Sequence, residues 1–446
     1  MPSVIFTFDH EDFLVPGSID TAVQLAEALT RRGLRGSFCT VGLRAKFMQR
    51  LATPRQIATF EPHEIGFHSR SHGIKPVIAE ELSKTGWDEG AELFIQRERE
   101  GMEWVMETFR RDHLPVTLPP GYCDTAANGV WASARLGFRL VAGSPLVWNK
   151  RGVHHCAGCM HVRYSLWLDD FATGATFEEK RRQLERLLET EEYVLICDHP
   201  TYLYNAEWPE VGQAHLPPEE WKIPPPRPRE TLEYALANIE KIYEFCANEP
   251  SIEVITYDEL IQRESLERPK SLPREAVIQL ARELALENTI RGAAVGGVPL
   301  SAAEVMAMMT HVLARPEKPI VPVRQLLGPK GLPGLPERDV PADGASPGIL
   351  ARAAEAQLAG EFMPDRLAFG KADATPGGWF RYAAQALADN EMSAIPASSP
   401  FPTEADAEDF RRNWYGWCMF PPDMSADRLM TMNRLQSWSF RPNRIE

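Results

Sequence analysis

Up to about Arg263 the chain alternates short apolar runs with amphipathic stretches, and this rhythm constrains the fold more than any other feature. Ser3–Phe8 (SVIFTF) has the β-branched and aromatic make-up of a strand. Thr21–Arg32 has a helical period, with Ala22, Leu25, Ala26 and Leu29 on one face, and Gly33 closes it. Gly36–Val41 is the next strand, and Glu64–Phe67, Phe138–Val141 and Ile252–Thr256 are shorter candidates. Ala91–Arg110, Gly129–Gly137, Glu178–Thr190 and Arg229–Cys246 read as helices. Tyr193–Cys197 (YVLIC) is apolar enough to be buried on both faces. Strand–helix alternation of this kind predicts an α/β fold, a parallel sheet or barrel whose chemistry lies at the carboxyl ends of the strands.

Beyond a linker at 264–273 the character changes. Residues 274–446 are rich in Ala, Met and Pro and read as a mainly helical region. A period of 74 runs through it: Val295–Gly296 answers Phe369–Gly370, Ser301 answers Thr375, Leu313–Ala314 answers Leu387–Ala388, and Val321–Pro322 answers Ile395–Pro396. The expectation is an internal duplication, about 274–347 and 348–421. In each copy a helix precedes a short extended segment, a Ser or Thr cap and a second helix. The apolar faces of the second helices, Val305, Met308, Met309 and Val312 against Trp379, Tyr382, Ala383 and Ala386, are expected to pack together or onto the first domain. Self-association through this region, giving a homo-oligomer, is a further expectation.

Composition excludes several roles. Lys and Arg number 48 against 62 Asp and Glu, a net charge of -14, which argues against a nucleic-acid or anionic-lipid partner. No apolar run is long enough for a membrane span. MPSVIFTFDHED runs straight into a strand without a basic leader, and seven cysteines make no disulfide framework; the expected location is cytoplasmic.

Three polar clusters each stand at or just past a strand end. Asp9-His10-Glu11-Asp12 follows SVIFTF, where four polar groups are costly unless they bind something or face a cleft. His68-Ser69-Arg70-Ser71-His72 follows Glu64–Phe67; on a helical turn its two imidazoles would share a face and suit one metal. His199-Pro200 follows Tyr193–Cys197.

Together these residues resemble the polysaccharide deacetylases, the family 4 carbohydrate esterases. Thr7-Phe8-Asp9-His10 is similar to the family's opening Thr-Phe-Asp-Asp, Glu64–His72 to its Glu-Ile-Gly segment with His-Ser-x-x-His, and Leu195–His199 to its late histidine strand. The resemblance covers residues 1–263. It implies a distorted (β/α) barrel of about seven strands and an enzyme that hydrolyses a non-peptide C–N bond with metal-activated water. It implies Asp9 as general base, His68 and His72 as metal ligands, and His199 as general acid. His10 stands where the family has its second Asp ligand. Glu11 is favoured over His10 as third ligand, because a carboxylate adds negative charge at a divalent cation, zinc by default. The family's Arg-x-Pro motif is represented only by Leu118-Pro119-Pro120-Gly121-Tyr122, so the orienting Arg is missing, while the Tyr122 backbone N–H is a candidate oxyanion donor. The implied substrate is an N-acetylated sugar; alternatives are a small amide, imide or ureide, or a non-catalytic glycan-binding homologue.

Three further stretches were weighed. His154–His161 (HHCAGCMH) crowds its ligands too closely for a structural zinc site. The Pro-rich Leu216–Arg229 reads as a stiff loop over the active-site mouth. Trp414, Tyr415, Trp417, Phe420 and Trp438 suit either a sugar-stacking platform or the packing of a small domain.

Overall fold

The computed structural model describes residues 1–122, 126–209, 213, 216–265, 267–332, 339–342, 345–416 and 419–444, with the side chains of Tyr122 and Pro218 outside the description. Strands β1 (Ser3–His10), β2 (Ser37–Thr40), β3 (Glu64–Phe67), β4 (Val116–Thr117), β5 (Leu140–Val141), β6 (His154–Cys156), β7 (Cys159–His161), β8 (Leu166–Trp167), β9 (Tyr193–Asp198) and β10 (Glu253–Val254) belong to one sheet with the late strand Arg441–Pro442. The pairing order is Arg441–Pro442, β6, β7, β5, β4, β3, β2, β1, β9, β8, and β10 lies on the start of β1. All pairs from β7 through β8 are parallel, whereas β6 joins β7 and Arg441–Pro442 antiparallel. Residues 162–165 carry the chain directly from β7, near one end of that order, to β8 at the other.

Alternation along β1 assigns its residues to two cores. Val4, Phe6 and Phe8 pack with the surrounding helices, among them Gly17–Thr30 and Arg229–Asn248. Ile5 points the other way, into a cluster with Cys39, Val116, Leu140 and Leu195, which Tyr257, Leu260 and Ile261 of the helix Tyr257–Glu264 join. Both faces of β1 are therefore buried, as in other parallel sheets covered on both sides.

A separate core begins at Leu272. Helix Arg274–Glu287, the hairpin Ala293–Val295/Val298–Leu300 and helix Ala302–Ala314 are followed by Ile320–Pro322, which returns to pair with Ser271–Pro273. Helix Pro347–Gln357, the hairpin Leu367–Phe369/Ala372–Ala374, helix Pro376–Leu387 and Ala394–Ile395, paired with Val340–Pro341, repeat that order. The second hairpin lies 74 positions after the first. Trp379 donates its indole N–H to Thr310 across the two second helices at 2.8 Å, and one apolar cluster spans both units. The sequence pattern misses both hairpins as paired strands, because runs of three residues are too short to show a period of two.

The chain then comes back to the parallel sheet of the first domain. Asn433 in helix Asp427–Gln436 accepts the backbone N–H of Ala127, and Arg441–Pro442 extends the sheet on β6. The late aromatics are scattered along this return. Trp438 is fully buried and donates to Pro400, Tyr415 and Phe420 pack in a cluster with the helix Ala127–Arg135, and Trp414 lies 5.5 Å from Trp148. Trp417 lies outside the described residues. They form no single platform among the described residues. His154–His161 is the β6–β7 hairpin: Cys156 and Cys159 are buried and bond to the carbonyls of Gln436 and Val130, and burial pushes both thiols up to about 12. No helix is long and apolar enough to cross a membrane among the described residues.

Candidate active site

Register brings the three polar clusters to one level of the sheet. Phe8 pairs with Asp198 on β9 and with Phe38 on β2, so Asp9 and His199 are the next residues of adjacent strands. Thr40 on β2 pairs with Phe67, which places His68 just beyond the end of β3. Because side chains alternate along an extended chain, Asp9 and Glu11 point to the same side and His10 to the opposite one.

The contacts follow that alternation. Glu11 Oε2 lies 2.8 Å from His72 Nε2 and 3.3 Å from His68 Nε2, and its other oxygen is buried without a hydrogen-bond partner. Asp9 Oδ2 lies 3.2 Å from His199 Nε2 and 3.7 Å from His68 Nε2. His10 faces the helix side instead. It bonds Thr40 through Nδ1 at 3.2 Å, accepts the Arg44 Nε–H at 3.1 Å and packs against Phe60. Burial and Arg44 hold its pKa well below the ordinary imidazole value, so it is neutral. Asp12 is structural: Oδ1 accepts the N–H groups of Leu14 and Val15, while Oδ2 accepts Thr201 and Asn205, tying the first cluster to the third.

The segment 68–72 is a loop, not the helical turn its spacing suggests. Ser69 and His72 have left-handed backbone, with φ of 65° and 48°. The loop is clamped from two sides. Helix Gly42–Leu51 donates its first free N–H groups, from Gly42 and Leu43, to the carbonyls of Ser69 and Arg70. Helix Trp87–Phe109 presents Glu98, which accepts the Arg70 N–H, and Arg97, which reaches Ser71. Gly42 and Gly101 permit this approach: a Cβ on Gly101 would stand 2.6 Å from the Arg70 Cα, and one on Gly42 2.6 Å from the Gly101 Cα. His68 Nδ1 bonds the Leu118 carbonyl at 2.9 Å, which leaves Nε2 facing the carboxylates. Four residues later Tyr122 ends the turn Pro120–Tyr122; its side chain lies outside the described residues.

Two partners went unread in the sequence. Asp169, just past β8, accepts the His199 backbone N–H at 2.8 Å and holds Nδ1 at 2.5 Å, which turns Nε2 toward Asp9. An Asp pair directly after a short strand was a signal of the same kind as the other clusters. Tyr164 donates its hydroxyl to Asp9 Oδ1 at 3.1 Å, a neutral donor to that carboxylate.

Charge is tightly balanced here. Burial disfavours the Asp9 carboxylate, but His68 and His199 outweigh it and lower the pKa. For Glu11 burial is likewise overcome, by His72 and His68, and the pKa falls. Burial opposes the His199 charge, yet Asp169 and Asp9 raise its pKa well above the ordinary value, so the imidazolium is favoured. Asp198 is pushed well up by burial and by Asp169. Two sets of possible metal-holding groups result, Glu11–His68–His72 and Asp9–Cys197–His199, each with ligand atoms within 4.8 Å of one another.

Comparisons with known proteins follow from this geometry. No protein-family model and no curated protein sequence matches the chain. Among solved structures, the chain is similar to family 4 carbohydrate esterases. The enzyme of that family from Streptomyces lividans, in complex with acetate, is 15% identical at a TM-score of 0.32, over 57% of this chain and 91% of that one. A peptidoglycan deacetylase from Bacillus subtilis is 14% identical at a TM-score of 0.32, over 59% and 94%. A family 4 pseudoenzyme from Bacillus anthracis is 12% identical at a TM-score of 0.33, over 58% and 65%.

Of the family-derived roles, the structure brings Asp9, Glu11, His68, His72 and His199 together and leaves His10 outside. Leu216–Arg229 does pass close by: Trp221 is buried at 6.1 Å from Phe13, and Pro226 bridges to Asn205, although 214–215 and 210–212 lie outside the described residues.

Proposed function

We propose that residues 1–263 form a metal-dependent amide hydrolase of deacetylase type, removing acetyl from the nitrogen of an N-acetylated sugar. The observation that carries this reading is the pair of adjoining sets at one strand-end level, Glu11 with His68 and His72, and Asp9 with His199. Glu11, His68 and His72 fit a divalent cation: two imidazole Nε2 atoms and a carboxylate converge, and one buried Glu11 oxygen has no protein partner to lose. Zinc is the default for so histidine-rich a set. When bound, the ion supplies Lewis acidity to a water and to the amide carbonyl.

The chain's own groups do the rest. Tyr164 engages Asp9 Oδ1, which leaves Oδ2 as the oxygen that accepts the proton of the attacking water. Asp169 holds His199 at Nδ1, so Nε2 is the atom that donates a proton to the departing nitrogen as the C–N bond breaks. Acetate and a free amine are the products. The Tyr122 N–H, at the turn after Leu118, is proposed as a donor to the developing oxyanion. Trp208, with its ring 4.9 Å from that of His199 and stacked on Tyr202, provides an aromatic wall for a sugar ring.

Elemental analysis and turnover test this together. Purified protein should carry about one equivalent of a divalent ion, and His68→Ala and His72→Ala should each lose it while staying folded. Acetate release should be seen from chito-oligosaccharides and be weaker from small amides. Full metal occupancy in both variants, or no acetate from any acetylated substrate by metal-replete protein, would sink the proposal.

A further inference from the structure

A cavity of about 670 Å³ lies where the parallel sheet domain meets the C-terminal region. Its walls come from 149–154, from the first hairpin of the helical region, from Glu404 and from the strand Arg441–Pro442 with its flanks. None of its lining residues belongs to the histidine–carboxylate site.

The lining is cationic in a chain whose net charge is -14. Lys150, Arg151, Arg441 and Arg444 face two carboxylates, Glu264 and Glu404. Nearby acids absorb only part of this charge: Arg444 is paired with both Glu192 and Glu264, but Glu304 and Glu191 each serve two cations at once. Glu304 takes both guanidinium nitrogens of Arg268 at 2.6 and 3.0 Å, and Arg441 Nε stands 3.8 Å from the same carboxylate. Glu191 lies 2.6 Å from Arg163 and 3.6 Å from Arg151. Glu264 is engaged by Tyr193, Asn443 and Arg444. Lys150 pairs with no carboxylate among the described residues, and its ammonium sits 5.9 Å from the centre of the Phe440 ring.

Arg441 is only 8% exposed. Burial, with the neighbouring Arg268, brings its pKa down to about 10 against the opposing pull of Glu304. Glu404 accepts the Gly292 N–H at 3.0 Å, and its other oxygen is buried without a partner. Burial raises its pKa, so it offsets less of the cationic wall than an exposed carboxylate would. Val153, Leu300 and Phe440 make the remaining wall apolar.

We infer that this cavity binds a small organic anion, a carboxylate or phosphate head on an apolar body, with the head between Lys150 and Arg441 and the body against Val153, Leu300 and Phe440. The inference does not depend on the proposed deacetylase activity.

Calorimetric titration of the full chain with benzoate, phenyl phosphate and neutral benzamide tests it, the two anions distinguishing the kinds of head group. At least one anion should bind saturably at millimolar concentration with one site per chain, and benzamide about tenfold or more weaker, as expected for loss of a charge-assisted bond. Lys150→Met and Arg441→Met should each weaken the anion about tenfold or more. The Lys150 ammonium makes no ion pair among the described residues and acts on Glu404 and Asp409 only from a distance, so its variant decides the matter even where Arg441→Met disturbs the sheet edge. Equal affinity for benzamide, no saturable binding of either anion, or unchanged anion affinity in folded Lys150→Met would overturn the inference.

Discussion

The strand-end site of residues 1–263 and the core of the helical region use their buried carboxylates differently. In the helical core the buried carboxylate is Glu304, and all of it is used: one oxygen accepts the Ser301 N–H and an Arg268 N–H, the other a second Arg268 N–H. At the carboxyl ends of β1 and β9, Glu11 keeps one oxygen without a partner and Asp198 keeps both. Stable packing satisfies buried polar groups, and exceptions call for an explanation. The difference teaches that packing alone does not use every carboxylate oxygen: Glu11 and Asp198 hold unpaired ones at the strand ends and Glu404 holds one at the cavity beside the helical region, whereas Glu304 holds none.

The two units of that body differ in an equally physical way. Ser301 caps its helix by accepting the Glu304 N–H, and Glu304 returns the favour at the Ser301 backbone. Thr375 caps the matching helix by accepting the Gly378 N–H. A side chain at Gly378 has no room, since its Cβ would meet the Pro396 carbonyl oxygen at 2.5 Å, and one at Gly377 would meet that of Ser399 at 2.0 Å. The second copy therefore gives up the capping box so that residues 396–399 can cross its helix N-terminus.

The sharpest way to break the comparison is Asp9→Asn. It should lower turnover by about 10²–10⁴-fold, because a neutral amide cannot take the water's proton, while metal content stays near wild type. A wild-type rate would remove Asp9 from the chemistry. Trp379→Ala, at the junction of the two helical units, should cost about 3–5 kcal/mol in chemical denaturation. If the regions are independently cored, the variant should still hold its metal; loss of metal in parallel would show one cooperative unit instead.

Glu98→Gln sharpens the contrast through pH. Burial raises the Glu98 pKa to about 7, above its value of 4.5 in an unfolded chain. A raised acid is held protonated by the fold, so wild-type stability carries no penalty below pH 4.5 and loses ground as pH climbs toward 7. The Gln variant has no such proton, so its stability relative to wild type should rise across that window by an amount on the order of 1–3 kcal/mol, then level off. Denaturation midpoints at pH 5 and pH 8 measure it, and a flat difference would show that Glu98 is already ionised. The smallest effect is expected from the caps: Ser301→Ala and Thr375→Ala should each cost about 1 kcal/mol, read as shifts in denaturation midpoint with metal unaffected.

Much of this arrangement could be read before folding was considered. The strand Ser3–Phe8 announces itself by composition; charge favours Glu11 over His10, and alternation carried past Phe8 puts Glu11 on the face of Asp9 and His10 on the other. The 74-residue period marks the paired helices and the extended segment between them even at low identity, though not that each segment folds as a hairpin. Asp169 and Tyr164 escaped because they act on His199 and Asp9 from far along the chain, and neither sits in a motif. The spacing of His68 and His72 misled for a different reason. Four residues fit one helical turn, but Ser69 and His72 take left-handed conformations that the clamp from Gly42, Glu98 and Gly101 imposes.

By itself, then, the sequence determined which residues are strand, which carry charge at strand ends, and which side of β1 each one takes. These are consequences of local periodicity, which needs no partner to be expressed. Only the tertiary structure decided that Glu11 meets His72 at 2.8 Å, that His199 is held by Asp169, and that a late strand at Arg441–Pro442 pairs with β6 and lines a cavity beside it. Those facts depend on register between strands distant in the chain and on helices that press two loops together, and neither is encoded in any short stretch of residues.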